Sequence, residues 1–208
     1  MISVPRLYAV VDAAFFSTTE GLAVFALELI AGGCTLLQYR NKSGNARVML
    51  DQARELRRQL RARAPAPHVR LIMNDRADLC ILAEFDGVHV GQDDLLPESV
   101  RGIVGPRWLG VSTHNPEQVR EADQTSADYL AIGPVFSTSS KERADPVVGL
   151  EGVRRARQLT RKPLVAIGGI TRANSASAID AGADSVAVIS DLLREPRKSA
   201  EEFFRVLR

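Results

Sequence analysis

The feature that most constrains the fold is an eightfold alternation of short apolar, often β-branched runs with longer helix-like segments. The predicted strands are RLYAVVD from Arg6, CTLLQYR from Cys34, VRLIMND from Val69, GVHVG from Gly87, WLGVSTH from Trp108, DYLAIGPVF from Asp128, PLVAIGG from Pro163 and SVAVIS from Ser185. Eight such units favour a closed (β/α)8 TIM barrel, because doubly wound open sheets typically have about five or six strands. We expect one compact barrel domain over residues 1–208.

Helix signals lie between the predicted strands. The segment ARVMLDQARELRRQLRARA, residues 46–64, has apolar residues at helical spacing. Asn115 before Pro116 predicts one N-cap, and Thr171 predicts another for a helix that Gly182 ends.

Charge and composition exclude several function classes. The 27 Lys and Arg residues against 25 Asp and Glu leave a formal charge of +2, which does not indicate a general nucleic-acid or membrane surface. No apolar run of about 18 residues is present, and the N-terminus reaches a charge before any signal-like run, so we expect a cytoplasmic protein. Barrel helices offer many contact faces, which leaves the oligomeric state open, a homo-oligomer included.

The two cysteines show no metal or disulfide pattern. Cys34 and Cys80 lie in apolar segments without a CxxC motif or a histidine at metal spacing. The sequence therefore predicts two buried free thiols.

Polar chemistry is concentrated where the predicted strands end, which is where (β/α)8 enzymes place their active sites. These strand-end residues are Gln38, Arg40 and Lys42 of the second strand; Asn74 and Asp75 of the third; Gln92, Asp93 and Asp94 of the fourth; Ser112 and His114 of the fifth; GPVFSTSSK of the sixth; Gly168 and Gly169 of the seventh; and Ile189 and Ser190 of the eighth. In a closed barrel they converge on one rim.

Two carboxylates beside two cations suggest a metal diphosphate. Alternation along a strand places Gln38, Arg40 and Lys42 on one face. Mg²⁺ usually takes one or two protein carboxylates, here Asp75 and Asp94, and completes its shell with water and phosphate oxygens. Arg40, Lys42 and Lys141 would hold the remaining phosphate charge.

Each of these residues also has an ordinary structural interpretation. Arg40 and Lys42 alone are compatible with solvated surface charges. Asp75 precedes a helix-like segment, and Asp93 and Asp94 precede Pro97, so each aspartate is also a candidate N-cap.

A second anion site is indicated at the end of the barrel. Gly168 and Gly169 carry no side chain that would block a phosphate from backbone N–H groups, and Ser190 opens toward a helix start. The alternative interpretation is tight packing of the turn.

Seven motifs in order carry a family resemblance: LQYRNK, MND, HVGQDD, GVSTH, GPVFSTSSK, AIGGI and VIS. Over essentially the whole barrel the chain resembles the thiamine phosphate synthases. That family joins a hydroxymethylpyrimidine diphosphate to a thiazole phosphate, or its carboxylated form, and releases pyrophosphate. The resemblance implies a magnesium enzyme acting on two small molecules, by departure of pyrophosphate followed by capture of a pyrimidine methyl cation by the thiazole nitrogen.

The resemblance also implies roles for individual residues. Pyrimidine diphosphate contacts would come from Gln38, Tyr39, Arg40, Asn41, Lys42, Asn74, Ser112 and Lys141, of which Arg40, Lys42, Ser112 and Lys141 would be catalytic. Thiazole phosphate contacts would come from Thr138, Ser139, Ser140, Gly169, Ile189 and Ser190, and one Mg²⁺ ion would be bound by Asp75 and Asp94. The segment STSSKERADPVVG is predicted to be a lid.

Two positions depart from the family pattern. Ser137 stands where a proline is expected, and Ser140 stands where a second threonine is usual. Ser140 keeps a hydroxyl for the thiazole phosphate, whereas Ser137 puts the stiffness of the lid in question. No Ser, Cys or His triad is evident or required, and His89 and His114 are interpreted as structural, hydrogen-bonded residues.

Two other functions remain as alternatives. A thiazole tautomerase shares the fold and a thiazole phosphate site, but it needs neither a diphosphate nor a metal, which leaves Asp75, Asp94 and the Gln38, Arg40, Lys42 set without a role. A non-catalytic phosphate-ligand sensor would not require a second anion site beside a metal pair.

Overall fold

The eight predicted strands form a closed parallel barrel. The structure is a computed structural model that describes residues 2–64, 69–138 and 146–207. The strands are β1 (Leu7–Asp12), β2 (Leu36–Arg40), β3 (Arg70–Asn74), β4 (Gly87–Val90), β5 (Trp108–Thr113), β6 (Tyr129–Ile132), β7 (Leu164–Ile167) and β8 (Ser185–Val188). Each strand pairs with the next one along the chain, and β8 closes the barrel on β1. The predicted (β/α)8 fold is confirmed.

A helix follows each strand. The helices are α1 (Thr19–Ala31), α2 (Ala46–Arg63), α3 (Ala77–Leu82), α4 (Pro97–Val104), α5 (Pro116–Asp123), α6 (Gly149–Leu159), α7 (Ser175–Asp180) and α8 (Pro196–Val206). The predicted cap of α5 is confirmed, since the Asn115 side chain accepts a hydrogen bond from the N–H of Gln118 at 2.9 Å. Within the described ranges, no helix has the length and apolar character needed to cross a membrane.

The predicted N-cap of α7 at Thr171 is wrong. The helix begins at Ser175, because Asn174 stabilises a preceding turn instead. Its Oδ1 accepts a hydrogen bond from the N–H of Thr171 at 2.7 Å, and its Nδ2 donates to the carbonyl of Gly169 at 2.9 Å. Gly182 lies just beyond the helix with a φ of +111°, the conformation expected of a glycine at a helix end.

Alternation of side chains divides the barrel core into two layers. Outward residues such as Leu37 pack against the helices, whereas Tyr8, Leu36 and Tyr129 form part of a separate cluster inside the barrel. Toward the carboxyl ends of the strands the inward positions become polar, at Gln38, Asn74, His89 and Ser112. The inward face is therefore polar at the carboxyl ends of β2 to β5, whereas Ile167 and Ile189 keep it apolar at the ends of β7 and β8.

Both cysteines are buried free thiols, as predicted. Burial raises the pKa of the Cys34 thiol to about 11 and that of Cys80 to about 12. Neither thiol is a thiolate at neutral pH, so neither is an activated nucleophile.

Candidate active site

A cavity opens at the carboxyl ends of the strands, and residues from all eight strands or the loops that follow them line it. The predicted site residues among the lining are Gln38, Arg40, Asn74, Ser112, Thr138, Gly169, Ile189 and Ser190. The structure thus brings together residues that are 152 positions apart at the extremes, from Gln38 to Ser190. This is the convergence that closure of the barrel predicts.

The end of β2 shows the predicted alternation. Gln38 and Arg40 line the cavity, and the Gln38 side chain donates a hydrogen bond from Nε2 to the hydroxyl of Tyr8 at 2.8 Å. Gln38 is 6% exposed, so its amide is held inside the barrel.

The side chains of Tyr39 and Asn41 lie on the other side of the barrel wall, against α2. The Tyr39 hydroxyl donates to Oε1 of Gln52 at 2.7 Å, and Nδ2 of Asn41 donates to the same oxygen at 3.0 Å. The structure therefore does not bring these two predicted pyrimidine contacts to the cavity through their side chains. The physical reason is the twofold alternation of the strand, which turns every second residue of LQYRN outward.

A buried aspartate that was missed in the sequence supports Arg40. Asp12, the last residue of β1, is 4% exposed and forms an ion pair with the Arg40 guanidinium. Its other carboxylate oxygen accepts a hydrogen bond from the N–H of Ala14 at 3.0 Å. The signal was available, because an acid that ends the run LYAVVD occupies the same kind of strand-end position as the other site residues.

Asp75 and Asp94 form a carboxylate pair beside Lys42. The Lys42 ammonium forms an ion pair with Asp75, and Oδ2 of Asp94 accepts a hydrogen bond from the N–H of Gly91 at 2.7 Å. Burial raises the pKa of Asp94, and the neighbouring Asp75 carboxylate raises it further, against the lowering effects of the Gly91 hydrogen bond and Lys42. The raised pKa means that the charged form of Asp94 is disfavoured in the protein alone, first by burial and then by the neighbouring Asp75 carboxylate.

Neither aspartate caps a helix. Asp75 has a left-handed φ of +61°, which is uncommon for a residue with a side chain, and its N–H donates to the carbonyl of His89 at 2.8 Å. Helix α3 begins after Arg76 without a side-chain cap, and α4 begins after Leu96, also without one. The capping interpretations of Asp75, Asp93 and Asp94 are therefore wrong.

The carboxylate pair fits magnesium by the chemistry of its donors. The part of the chain that is described has no group of three or more His, Cys, Asp or Glu side chains placed to hold a metal by themselves. Two adjacent carboxylates are what Mg²⁺ takes from a protein when water and phosphate oxygens supply the other ligands. Asp75 and Asp94 match this partial ligand set.

The side-chain amide of Asn74 also points to a ligand. Its Nδ2 is buried and has no hydrogen-bond partner among the residues that the structure describes. Leaving a buried donor without a partner costs about 1–3 kcal/mol, so this amide is suited to donate to an acceptor atom of a bound molecule in the cavity.

The loops after β6 and β7 meet through glycines with left-handed backbone. Gly168 has a φ of +95° and Gly169 a φ of +64°. A Cβ atom on Gly169 would lie 2.5 Å from the carbonyl oxygen of Ser137, and one on Gly168 would lie 2.5 Å from Cβ of Pro134. Tight packing thus explains both glycines, and their contact with a phosphate stays a prediction.

The helix start predicted at Ser190 is a single 3-10 turn, Ser190–Leu192. Its dipole is correspondingly small, because the macrodipole grows with the number of aligned peptide units.

Hydrogen bonds between Arg172 and Asp191, which we call the guanidinium clamp, fix this turn against the loop after β7. The backbone N–H of Arg172 donates to Oδ2 of Asp191 at 2.7 Å, and its side-chain Nε donates to the same oxygen at 3.0 Å.

Both histidines are hydrogen-bonded, as predicted. His89 Nε2 lies 2.8 Å from the Ser112 hydroxyl, and His114 Nδ1 lies 2.6 Å from the carbonyl oxygen of Gly133. The predicted contacts Ser139, Ser140 and Lys141, and most of the predicted lid, lie outside the described residues.

The barrel and its rim define a (β/α)8 enzyme whose cavity lies at the carboxyl ends of the strands and has polar and charged side chains in a largely apolar lining. A sequence model of one family, described as thiamine monophosphate synthase, matches residues 7–192. The chain belongs to this family.

Individual relatives agree with the family assignment. The chain is 60% identical to a thiamine-phosphate synthase of Koribacter versatilis over 99% of its own length and 97% of the relative's. It is 44% identical to a thiamine-phosphate synthase of Chloroflexus aurantiacus over 89% and 83% of the two lengths. The solved structure of a thiamine phosphate pyrophosphorylase from Pyrococcus furiosus matches with a TM-score of 0.83 at 30% identity, covering 97% of this chain and 95% of that one.

Proposed function

We propose that the protein is a thiamine-phosphate synthase, a transferase that moves a methylpyrimidinyl group from diphosphate to a thiazole nitrogen. The observation that carries this proposal is the charged cluster of Lys42, Asp75 and Asp94 beside a cavity that also contains Arg40. A diphosphate leaving group needs this combination of cations and metal-binding carboxylates, and the kinship with thiamine-phosphate synthases supports the same substrate pair.

The first substrate is 4-amino-5-hydroxymethyl-2-methylpyrimidine diphosphate. Its ring would occupy the inner part of the cavity, where Gln38, Asn74 and Ser112 present hydrogen-bonding groups. Its diphosphate would then lie outward, toward Arg40 and Lys42. The Asp12 carboxylate holds the Arg40 guanidinium at the rim, which limits the ordering needed when the anion binds.

The reaction breaks one bond and forms one. The bond between the pyrimidine methylene carbon and the diphosphate oxygen breaks, and its electron pair leaves with pyrophosphate. The lone pair of the thiazole nitrogen then forms a C–N bond to the methylene cation. The protein needs no nucleophile of its own, which agrees with buried thiols of raised pKa.

Side chains of this protein stabilise the departing charge. Arg40 and Lys42 face the negative charge that grows on the bridging oxygen, and the family pattern adds Lys141. Mg²⁺, when bound by Asp75 and Asp94, would neutralise part of the diphosphate charge. The barrel walls hold the two rings in line and exclude water from the cation.

The second substrate, hydroxyethylthiazole phosphate or its carboxylated form, would bind on the other side of the cavity. Thr138, Gly169, Ile189 and Ser190 line that side, and the family pattern adds Ser139 and Ser140. The phosphate of this substrate stays attached throughout the reaction, so binding there needs orientation more than charge neutralisation.

The test is pyrophosphate release from purified protein with either substrate or both, in Mg²⁺ or in excess chelator. We expect release only when both substrates and Mg²⁺ are present. Release with the pyrimidine diphosphate alone would indicate a hydrolase. No release, with thiazole phosphate still bound in calorimetry, would support the tautomerase or the sensor and overturn the proposal.

A further inference from the structure

A chain of hydrogen bonds crosses the floor of the cavity and joins two of the proposed pyrimidine contacts. Gln38 Nε2 donates to the Tyr8 hydroxyl at 2.8 Å, which lies 3.0 Å from the Tyr129 hydroxyl. The Tyr129 hydroxyl lies 3.1 Å from Nδ1 of His89, whose Nε2 lies 2.8 Å from the Ser112 hydroxyl. Five side chains from five strands are thus connected in one row.

The barrel is shaped to hold this row. Tyr8 is 1% and Tyr129 0% exposed, and burial raises the pKa of both phenols above its ordinary value, so each keeps its proton. Gly110 leaves the necessary space, because a Cβ atom there would lie 2.1 Å from Cζ of Tyr129 and 2.4 Å from Nδ1 of His89. A glycine is therefore required at position 110 for Tyr129 and His89 to lie within hydrogen-bond distance of each other.

Counting protons gives the row a direction. Each phenol has one hydrogen to donate, and a buried hydroxyl hydrogen without an acceptor is costly. The Tyr8 hydroxyl accepts from Gln38, and among the residues that the structure describes its one other hydrogen-bond partner is Tyr129. Tyr8 must therefore donate to Tyr129, and Tyr129 in turn donates to Nδ1 of His89.

The far end of the row follows from the same count. A His89 ring that accepts at Nδ1 and is neutral carries its hydrogen on Nε2, which donates to the Ser112 oxygen. The Ser112 hydrogen then points away from His89. At the other end of the row, Nε2 of Gln38 donates to the Tyr8 hydroxyl, so the side-chain carbonyl oxygen of Gln38 is the group left to accept a hydrogen bond in the cavity.

We propose that Tyr8, Tyr129 and His89 are positioning residues that fix Gln38 as a hydrogen-bond acceptor and Ser112 as a donor for the pyrimidine ring. This inference rests on the proposed function. An aminopyrimidine offers the complementary groups, an amino group that donates and ring nitrogens that accept. Cooperative polarisation along the row strengthens the terminal donor.

The first experiment changes one hydroxyl group. Tyr129→Phe keeps the ring that fills the space beside Gly110 but removes the link between Tyr8 and His89. We expect the KM for the pyrimidine diphosphate to rise about 5- to 150-fold, the range for a lost buried hydrogen-bond partner. That range follows because 1.4 kcal/mol corresponds to a factor of ten. The KM for the thiazole phosphate should change by less than about twofold, because the row ends at Gln38 and Ser112 and not at the proposed thiazole contacts.

The second experiment reads the tautomer of His89 directly. The chain has three histidines, so long-range ¹H–¹⁵N correlation spectra of histidine-labelled protein are simple, and His89→Gln identifies the His89 signals. We expect the Nε2–H tautomer in the parent protein and a changed Nδ1 shift in Tyr129→Phe. Tyr39→Phe is the matched control for the spectrum and for stability, because its buried hydroxyl binds Gln52 on the outer side of the wall.

A double-mutant cycle separates positioning from general loss of structure. If Tyr129 acts through Ser112, Tyr129→Phe should have little further effect on the pyrimidine KM in a Ser112→Ala background. Should Tyr129→Phe fail to fold, Tyr8→Phe tests the same row from its other end.

Three results would each overturn the inference: an Nδ1–H tautomer of His89 in the parent protein, an unchanged pyrimidine KM in folded Tyr129→Phe, or equal loss of both substrates. A parent protein that makes no thiamine phosphate would overturn the proposed function instead, and the tautomer would still test the direction of the row.

Discussion

Charged side chains stand at or just after the ends of β2 to β4, beside the cavity, whereas the described residues that line the cavity after β6 to β8 are uncharged and include Gly133, Gly168 and Gly169. We call the first region the charged half of the rim; it contains Arg40, Lys42 and the pair of Asp75 and Asp94. We call the second region the glycine half; it contains Gly168 and Gly169, where backbone atoms of neighbouring loops approach closely. The difference matches the two proposed substrates, because a diphosphate must leave from one half while a phosphate only needs to be held in the other.

Both halves use left-handed backbone, but for different reasons. At Asp75 the φ of +61° is adopted by a residue with a side chain, a conformation that costs about 1–3 kcal/mol and persists only where surrounding contacts enforce it. The hydrogen bond to His89 and the ion pair with Lys42 supply those contacts. At Gly168 and Gly169 the same backbone region is nearly free of strain and allows close packing.

The largest effect is expected from removing charge in the charged half. Asp75→Asn keeps the size of the side chain and tolerates left-handed φ, but it takes one carboxylate from the proposed Mg²⁺ ligands. We expect kcat to fall by about a hundred- to a thousandfold, as when one group that stabilises transition-state charge is lost. Steady-state kinetics over a Mg²⁺ titration measure the change.

Asp93→Asn is the matched control for Asp75→Asn, because Asp93 is exposed and lies next to Asp94. It should behave like the parent protein. Unchanged kinetics in Asp75→Asn would contradict the metal assignment and, with it, the contrast between the two halves.

The second effect is expected from a methyl group in the glycine half. Gly169→Ala would place Cβ 2.5 Å from the Ser137 carbonyl oxygen, so the loops after β6 and β7 must separate. We expect a KM for the thiazole phosphate raised about tenfold or more, with the affinity for the pyrimidine diphosphate retained. Calorimetry with each ligand separately distinguishes the two.

Gly105→Ala controls for backbone strain alone. Gly105 has a φ of +61° and a ψ of −129°, a conformation that residues with a side chain rarely adopt, and nothing among the described residues lies within 4 Å of the position of its Cβ. Both variants should lose about 1–3 kcal/mol of stability, and Gly169→Ala alone should lose thiazole phosphate affinity. Equal loss of both ligands in Gly169→Ala would show that the halves are not separate binding regions.

The charged half was largely predictable from the sequence, and the glycine half was not. Arg40, Lys42, Asp75 and Asp94 are recognisable because strand alternation and closure of the barrel determine where a strand-end side chain points. The glycines were noticed, but a sequence does not show whether a glycine serves a ligand or the packing of another loop. Only the distance to the Ser137 carbonyl oxygen reveals the packing role at Gly169.

Local backbone geometry and long-range pairing account for the other differences. Helix α7 begins at Ser175 and is not capped by Thr171, because the Asn174 amide stabilises a turn by hydrogen bonds to the N–H of Thr171 and the carbonyl of Gly169. Asp12 and the row from Tyr8 to His89 depend on pairings between strands up to 121 residues apart. Such pairings become apparent only after the register of the barrel is known.

A smaller effect is expected from weakening the guanidinium clamp, the contact of Arg172 with Asp191 next to the glycine half. Asp191→Asn removes the charge that holds the Arg172 guanidinium, while the amide oxygen still accepts from the Arg172 N–H. We expect the KM for the thiazole phosphate to rise roughly two- to fivefold, as for loss of a partly exposed ion pair. Arg154→Gln, which breaks an exposed pair with Glu151 on α6, should leave it unchanged.

The smallest expected effect is on thermal stability. It measures how much the charged Asp94 carboxylate destabilises the folded protein when no metal is bound. Burial, with the Asp75 carboxylate beside it, raises the pKa of Asp94 above its unfolded value, so the charged form is held at a cost that grows as pH rises through the folded pKa. In chelator at pH 7 we therefore expect Asp94→Asn to unfold at a higher temperature than the parent protein. The difference should shrink as pH falls below the raised pKa, where the parent carboxyl is protonated as well.

Mg²⁺ should stabilise the parent more than the variant, since it binds the carboxylate that the variant lacks. A lower unfolding temperature for Asp94→Asn at pH 7 in chelator would mean that the fold itself stabilises the carboxylate, which would contradict the expected cost of burying it beside Asp75.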